Sequence, residues 1–288
     1  MKRKNGIGVT ILLFTTLIIG MGLILYPSFS NWWNKQRQTI AIANYDSKVA
    51  ELDNSDKEAI LEKAAEYNRK LAELSAPFTE FEEQNDYENI LDITGTGIMG
   101  YITIPKINVY LPIYHGTSPE VLNIAVGHLN GTSLPVGGSS CHSVISAHRG
   151  LPSAKLFSDI DQLIEDDTFT ITVLDEVLTY EVDQSEVILP TDFNLLNIVP
   201  NMDYVTLMTC TPYGVNTHRL LVRAHRIDTL YPRTVKVSAD ASYLDELTLY
   251  SLIIVVVLIL LLIYCLIYSR VNRKRKISVK SVYDVEIK

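Results

Sequence analysis

The longest apolar runs of the chain lie at its two ends. The first covers residues 7–26 without a charged side chain, and the second covers residues 247–268. Since about 20 apolar residues suffice for a helix to cross a bilayer, each run predicts a transmembrane helix. A cleaved signal peptide is the alternative for the first run. That run ends in Tyr26-Pro27 without a small-residue cleavage site, which favours an uncleaved anchor.

Basic clusters flank both runs on the sides that face away from the middle of the chain. They consist of Lys2, Arg3 and Lys4 at one end and Arg270, Arg273, Lys274, Arg275 and Lys276 at the other. Because positive residues stay on the cytoplasmic side, both termini are predicted to be cytoplasmic and the middle of the chain extracellular. The same cluster argues against the other interpretation of the second run, a buried core helix.

The first part of the middle region shows helical spacing. Apolar or small residues recur three and four apart at Ile40, Ala43 and Ser47 and again at Ile60, Ala64, Tyr67, Leu71 and Leu74. Ser55 and Glu58 predict a capping box for the second helix. The pattern predicts a helical stalk over residues 28–74. Residues 75–92 are acidic and lack a clear period, which predicts a loop.

From Met99 onward the pattern changes to short alternating segments that are separated by Gly and Pro. The segments are GYITIPKI, VYLPIYHG, SVISAHRG, DTFTITVL, LTYEVDQSEVIL, DYVTLMTC and HRLLVRAHRI. Alternation rich in Ile, Val, Thr and Tyr is typical of strands. Seven or eight short strands with little helix predict a mainly β domain, a closed barrel or a sandwich.

Charge separates along the same boundaries. The whole chain has 25 basic and 33 acidic residues, for a net charge of −8. Without the three basic residues before the first span, and the seven basic and two acidic residues after the second, 15 basic and 31 acidic residues remain, a net charge of −16. This acidic middle region argues against nucleic acid or anionic lipid as its ligand.

Two of the three cysteines, Cys141 and Cys210, lie in the middle region, whereas Cys265 lies within the second apolar run. A structural disulfide between Cys141 and Cys210 is one interpretation for an exported domain. A reactive thiol at Cys210 is the other. The predicted strand DYVTLMTC ends at Cys210, and a loop with Pro212 and Gly214 leads to the next strand. Antiparallel pairing of these strands would bring Cys210 close to His218 or Arg219.

A cysteine beside an arginine has a definite chemistry. The positive charge of Arg219 would favour a Cys210 thiolate or the oxyanion that forms after attack on a carbonyl. Arginine cannot carry protons, so a histidine is required. The candidates are His115, His128, His142, His148, His218 and His225. His148 is favoured because it lies at a predicted strand end, where barrel enzymes place functional residues. His142 is its rival.

The segment TLMTCTPYGVNTHRLLVRAHR, together with SAHRGLPSAKLF, GYITIPKI, LPIYHGTS and GHLNGTSLPVGG, resembles the sortase family. The TLxTC core followed by Arg nine residues later is highly specific, and the match runs from about Met99 to about Ile227. Two terminal spans around an outer domain resemble class C, the pilus-assembling sortases of Gram-positive bacteria. This resemblance implies a closed eight-stranded β-barrel with N-terminal helices and two terminal transmembrane helices.

The resemblance also assigns roles. It implies that Cys210 is the nucleophile, His148 the general acid and base, and Arg219 the group that stabilises the oxyanion. The enzyme would cleave an LPXTG-like sorting signal between Thr and Gly, hold the pilin as a thioester, and transfer it to a lysine amine of another pilin. Two alternatives stay open. One is a sortase that anchors surface proteins to peptidoglycan, and the other is a non-catalytic membrane-tethered binding module.

Class C sortases carry a flexible lid with an Asp-Pro-aromatic motif that covers the cysteine. This chain has Ala76, Pro77 and Phe78 at the matching place. The resemblance therefore implies a lid formed by Pro77 and Phe78, without the carboxylate contact to Arg219 that the Asp would make. An ordinary acidic linker is the alternative.

The resulting organisation has eight parts. They are a cytoplasmic tail (1–6), an anchor (7–27), a stalk (28–74), a lid loop (75–92), a barrel (93–232), a linker (233–246), a second span (247–268) and a basic cytoplasmic tail (269–288). The chain has no HExxH, no CxxC and no clustered carboxylates, so neither a metal site nor a cofactor is predicted. The expected partners are pilin subunits and the membrane.

Overall fold

The computed structural model describes residues 5–74, 78, 86–229, 249–261, 263, 264 and 267. The chain divides into two units. Ser30–Val237 forms one, and Met1–Phe29 with Ser238–Lys288 forms the other.

Helix α1 (Asn5–Glu51) contains the first apolar run and has Pro27 in its interior. Within the described residues, its part from Phe14 to Glu51 is the one helical segment that is long and apolar enough to cross a membrane. The second predicted span is represented by a shorter apolar helix, Leu249–Leu261. The basic residues that flank the two runs, and Cys265, lie outside the described residues.

Eight strands close into a barrel in the order β1-β2-β3-β4-β7-β8-β6-β5. Their bounds are β1 Ile98–Ile104, β2 Val109–His115, β3 Val126–His128, β4 Cys141–Ser146, β5 Thr168–Val173, β6 Glu176–Ile188, β7 Asp203–Thr211 and β8 His218–Ile227. β2 pairs parallel with β3, and β4 pairs parallel with β7; the other neighbours are antiparallel. The predicted closed β-barrel is confirmed. The strand patterns did not include β3, which has only three residues and is too short to show alternation.

The strands alternate between the barrel interior and its outer face, as period 2 requires. In β7, Val205 and Leu207 are fully buried and belong to the main core, whereas Met208 belongs to a second, smaller apolar cluster. In β8, Val222 belongs to the main core and Leu221 to the second cluster. The wall formed by β4, β7 and β8 is therefore packed on both faces.

Helix α2 (Asn54–Glu73) buries Ala64, Tyr67 and Leu71 against the barrel, as its spacing predicted. Its N-cap differs from the predicted capping box. Asp53, not Ser55, caps the helix, and its Oδ1 accepts the amide of Asp56 at 2.8 Å. The Ser55 hydroxyl instead donates to the same Asp53 oxygen at 2.7 Å, so it does not cap the helix.

The predicted buried face of α1 was wrong. Ile40 is 58% exposed, and Ala43 and Ser47 are also exposed. The buried face carries Gln38, Ile42, Tyr45 and Val49. Tyr45 donates to the Met99 carbonyl at 3.1 Å and accepts the Leu174 amide at 2.8 Å. Ile42, Tyr45 and Val49 have the same spacing as Ile40, Ala43 and Ser47, so the spacing alone could not show which of the two faces is buried.

Candidate active site

Cys210 lies near the C-terminal end of β7, on the outer face of the barrel wall. Strand alternation turns Val205, Leu207 and Thr209 inward, where each is at most 1% exposed. Cys210 lies on the opposite face with Met208 and is a half-buried free thiol. A substrate can therefore approach its Sγ from outside the core.

Arg219 is the cross-strand partner of Cys210 in the β7–β8 pair. The predicted neighbourhood of thiol and guanidinium is thus present, because directly opposed residues on one face lie about 5 Å apart at Cβ. The Arg219 Nη1 donates to the carbonyls of His218 at 3.1 Å and Asn216 at 3.4 Å. These bonds hold the arginine to the β7–β8 loop. Among the described residues they use only Nη1, which leaves its other N–H groups for a ligand.

His148 follows β4, which runs parallel to β7 with Ser146 opposite Met208. The pairing continues past the strand end: the Ala147 amide donates to the Met208 carbonyl at 3.1 Å, and the Thr209 hydroxyl donates to the Ala147 carbonyl at 2.8 Å. If this register continues for two residues past Ser146, His148 is the residue opposite Cys210. Partial burial lowers the pKa of His148, so its ring is neutral at pH 7 and can accept a proton.

The rival histidine, His142, lies in the middle of β4 and is buried. Its Nδ1 is 2.9 Å from the Asn197 carbonyl, and its Nε2 is 2.8 Å from the Thr206 hydroxyl. Both ring nitrogens are therefore occupied by the protein, with Nδ1 as the donor and Nε2 as the acceptor. Burial lowers its pKa. The geometry is that of a neutral structural histidine.

The other four histidines have different surroundings. His115 and His128 are buried and bond to backbone carbonyls of Gly97, Ile90 and Ser133. His225 lies toward the far end of β8, near the carboxylates of Glu181 and Asp183. His218 is next to Arg219, with its Nδ1 2.9 Å from the Thr217 hydroxyl.

The proposed disulfide between Cys141 and Cys210 does not form, since both thiols are free. Cys141 is at the start of β4 and Cys210 near the end of the parallel strand β7, so they lie at opposite ends of the wall. Burial raises the pKa of the Cys141 thiol to about 11, which keeps it protonated and inert.

Arg149 is a part of this region that sequence reasoning missed. It forms an ion pair with Asp161, its guanidinium lies 5.9 Å from the centre of the Tyr213 ring, and its Nη1 is 3.5 Å from the Thr211 hydroxyl. It thereby ties the chain after His148 to the end of β7 and to the β7–β8 loop. Its position directly after His148 was the only signal in the sequence.

The second apolar cluster was also missed. It lies on the outer face beside Cys210 and Arg219 and consists of Val144, Leu196 and Leu221 with Phe78, Leu129, Ile188 and Met208 packed on them. The connection from β6 to β7 covers part of it through Leu196, which is 2% exposed. A shallow open depression with a cavity volume of only about 10 Å³ lies along the same face. Its lining includes Thr206, Leu221 and Arg223.

Of the predicted lid loop 75–92, residues 78 and 86–92 are described. The later part is not a loop throughout: it includes the 3₁₀ helix Tyr87–Asn89, and Tyr87, Ile90 and Leu91 are buried in the main core.

Phe78 is the described residue of the proposed lid motif. Its ring lies 5.1 Å from the ring of Phe193, at an angle of 31°, and it packs on the second apolar cluster. Within that cluster, Met208 and Leu221 are two residues from Cys210 and Arg219 along their strands. Ala76 and Pro77 lie outside the described residues.

Comparison with known proteins gives a consistent result. Residues 102–227 match the sortase domain. Sortase C1 of Streptococcus agalactiae is 49% identical, with a TM-score of 0.61, over 66% of this chain and 98% of that one. Sortase C of Streptococcus pneumoniae is 43% identical, with a TM-score of 0.60, over 67% of this chain and 98% of that one.

A third solved structure is sortase C of Clostridium perfringens with the C-terminal cell wall sorting motif. It is 41% identical, with a TM-score of 0.58, and the match covers 66% of this chain and all of that one (100%). Identity at this level over nearly the full length of three sortase C structures exceeds what a shared fold alone requires. The chain therefore belongs to the sortase family of cysteine transpeptidases, and its relatives place it among the class C sortases.

Proposed function

We propose that this enzyme polymerises pilins. It cleaves an LPXTG-like sorting signal between Thr and Gly and transfers the new acyl end to a lysine amine of another pilin. The observation that carries this proposal is the high identity with class C sortases, combined with Cys210 and Arg219 as direct cross-strand partners. The sorting motif associated with the Clostridium perfringens relative supports the substrate class.

In the proposed mechanism, His148 accepts the proton of the Cys210 thiol, and the thiolate attacks the Thr carbonyl carbon. Arg219 donates hydrogen bonds to the resulting oxyanion. The bond to the Gly nitrogen then breaks, and His148 returns its proton to the leaving amine. The thioester remains on Cys210.

In the second half, the lysine amine attacks the thioester carbonyl, and His148 accepts the proton that the amine loses. The C–S bond breaks, and an isopeptide bond joins the two pilins. A thioester is reactive enough for an amine to resolve. The apolar cluster beside Cys210 excludes water and so favours the amine over hydrolysis.

The proposed setting is the outer face of the cell membrane. Helix α1 supplies one anchor and the second apolar run a second, with both termini cytoplasmic because of the basic clusters that flank them. This topology would hold the catalytic barrel outside the cell, where surface proteins are exported and joined.

The acceptor test uses full-length enzyme in detergent micelles with an LPXTG-type peptide and a purified pilin. We expect mass spectrometry to detect a peptide joined to a lysine side chain of the pilin, in excess over the hydrolysed peptide. A matched reaction replaces the pilin by a peptidoglycan cross-bridge peptide. Transfer only to the cross-bridge amine would show wall anchoring instead of pilin polymerisation.

We further propose that Phe78 is the lid residue over the substrate groove. Substituting Phe78 by Ala removes its contact with Phe193, and an aromatic pair of this kind contributes about 0.5–1.5 kcal/mol. If the pair holds the lid closed, peptide cleavage should accelerate about two- to tenfold, as measured in initial rates of the full-length enzyme.

The partner ring provides the control for the lid. The double variant F78A/F193A should cleave no faster than the faster of the two single variants, because both changes break one contact. An unchanged rate in F78A would make the segment around Phe78 an ordinary linker.

A further inference from the structure

The buried face of α1 begins with amide side chains instead of apolar ones. Asn31, Asn34 and Gln38 follow one another at spacings of three and four, one turn above Ile42 and Tyr45. All three bond to the backbone of barrel loops. The Gln38 Nε2, for example, donates to the Ile124 carbonyl at 2.6 Å. These three side chains therefore bond to the backbone of loops, whereas the later residues of the same helix face pack on the core.

Asn31 and Asn34 both contact one loop, the segment that follows His148. The Asn31 Oδ1 accepts the backbone amide of Lys155 at 2.9 Å. The Asn34 Nδ2 donates to the backbone carbonyl of Ser153 at 2.8 Å. The backbone partners determine the direction of each bond, because an amide N–H can only donate and a carbonyl can only accept.

Two hydrogen bonds join the ends of this loop, and one of them involves the backbone of His148. The Phe157 amide donates to the His148 carbonyl at 3.3 Å, and the Gly150 amide donates to the Ser158 hydroxyl at 3.2 Å. Phe157 is fully buried in the core. A displacement of residues 153–155 is therefore transmitted to the backbone of His148 through a loop of only a few residues.

We propose that Asn31 and Asn34 are positioning residues that hold His148 in register with Cys210. The inference rests on the proposed role of His148 as general acid and base. It gives a second role, besides anchoring, to the part of α1 that directly follows the first apolar run. A small shift of a proton-transferring ring costs rate more than substrate affinity, so the two asparagines act on kcat rather than KM.

The two bonds run in opposite directions, which gives a sharp test with one type of substitution. Aspartate keeps an acceptor oxygen but has no N–H donor. Asn34→Asp places a carboxylate against the Ser153 carbonyl and should lower kcat about tenfold, with KM within a factor of about two.

Asn31→Ala should also lower kcat, and Asn31→Asp should restore it because the acceptor for Lys155 returns. Asn44→Asp makes the same charge change at an exposed position of the same helix and is the matched control.

The measurements are kcat and KM for cleavage of an LPXTG-type peptide by the full-length chain in detergent micelles, with the melting temperature of each variant. An equal loss in Asn31→Asp and Asn34→Asp would overturn the inference, because added charge would then explain both. If Asn34→Asp does not fold, Asn34→Ala removes the donor without adding charge. An unchanged kcat in Asn34→Ala would overturn the inference.

His148→Ala separates this inference from the proposed function. An inactive His148→Ala together with wild-type kcat in Asn34→Asp would refute the positioning role and leave the catalytic role of His148 intact. Full activity in His148→Ala would refute both.

Discussion

Substitution of Cys210 by Ala is expected to abolish cleavage of an LPXTG-type peptide and to remove the covalent acyl-enzyme. The loss should be about 10⁴-fold or more, because a nucleophile has no substitute in a covalent mechanism. Cys210 is half-buried on the outer face and belongs to neither apolar cluster, so the barrel should remain folded. Peptide cleavage by high-performance chromatography and intact-protein mass spectrometry measure the two effects.

Cys141→Ala is the matched control for that variant. It removes the other free thiol of the described barrel, which is buried at the opposite end of the wall. It should retain cleavage. Cleavage by Cys210→Ala at a rate near that of the unmodified enzyme would contradict the proposed nucleophile.

The second large effect is expected from the two histidines of the β4 region. His148→Ala should reduce kcat by about 10³-fold or more, because the proposed mechanism assigns both proton transfers to His148. His142→Ala should instead reduce stability. It leaves the Asn197 carbonyl and the Thr206 hydroxyl without their partner, at a cost of about 1–3 kcal/mol.

Kinetics and thermal unfolding of both variants distinguish these effects. We expect His148→Ala to melt near the unmodified enzyme, and the folded fraction of His142→Ala to keep most of its kcat. The reverse outcome would exchange the two roles.

Local patterns predicted the elements of this protein well. The alternation in DYVTLMTC and HRLLVRAHRI located β7 and β8, and the short loop between them was enough to predict that Cys210 lies near His218 or Arg219. The spacing of Ala64, Tyr67 and Leu71 predicted the buried face of α2. In each case the information lies within one element or one tight connection, so no long-range contact was needed.

The buried face of α1 was not predicted, because Ile42, Tyr45 and Val49 have the same spacing as the exposed Ile40, Ala43 and Ser47, and only packing against the barrel separates the two faces. Asn31, Asn34 and Gln38 extend the packed face with polar side chains, whose backbone partners are 86 to 124 residues away in sequence. The same limit applies to Arg149, whose partners Asp161 and Tyr213 come from different loops. Polar residues that bury themselves against distant backbone have no local signature.

The sequence by itself determined that Cys210 lies at a strand end close to His218 or Arg219, because an antiparallel pair joined by a short loop leaves little choice of register, and the structure selects Arg219. It also determined the apolar run that makes α1 a candidate anchor. Only the tertiary structure decided that His142 is bonded within the protein and that the residue after β4, Ala147, bonds to β7 near Cys210. Both facts depend on the parallel pairing of β4 with β7, two strands separated by more than 50 residues, and parallel neighbours are joined by long crossovers that no local pattern specifies.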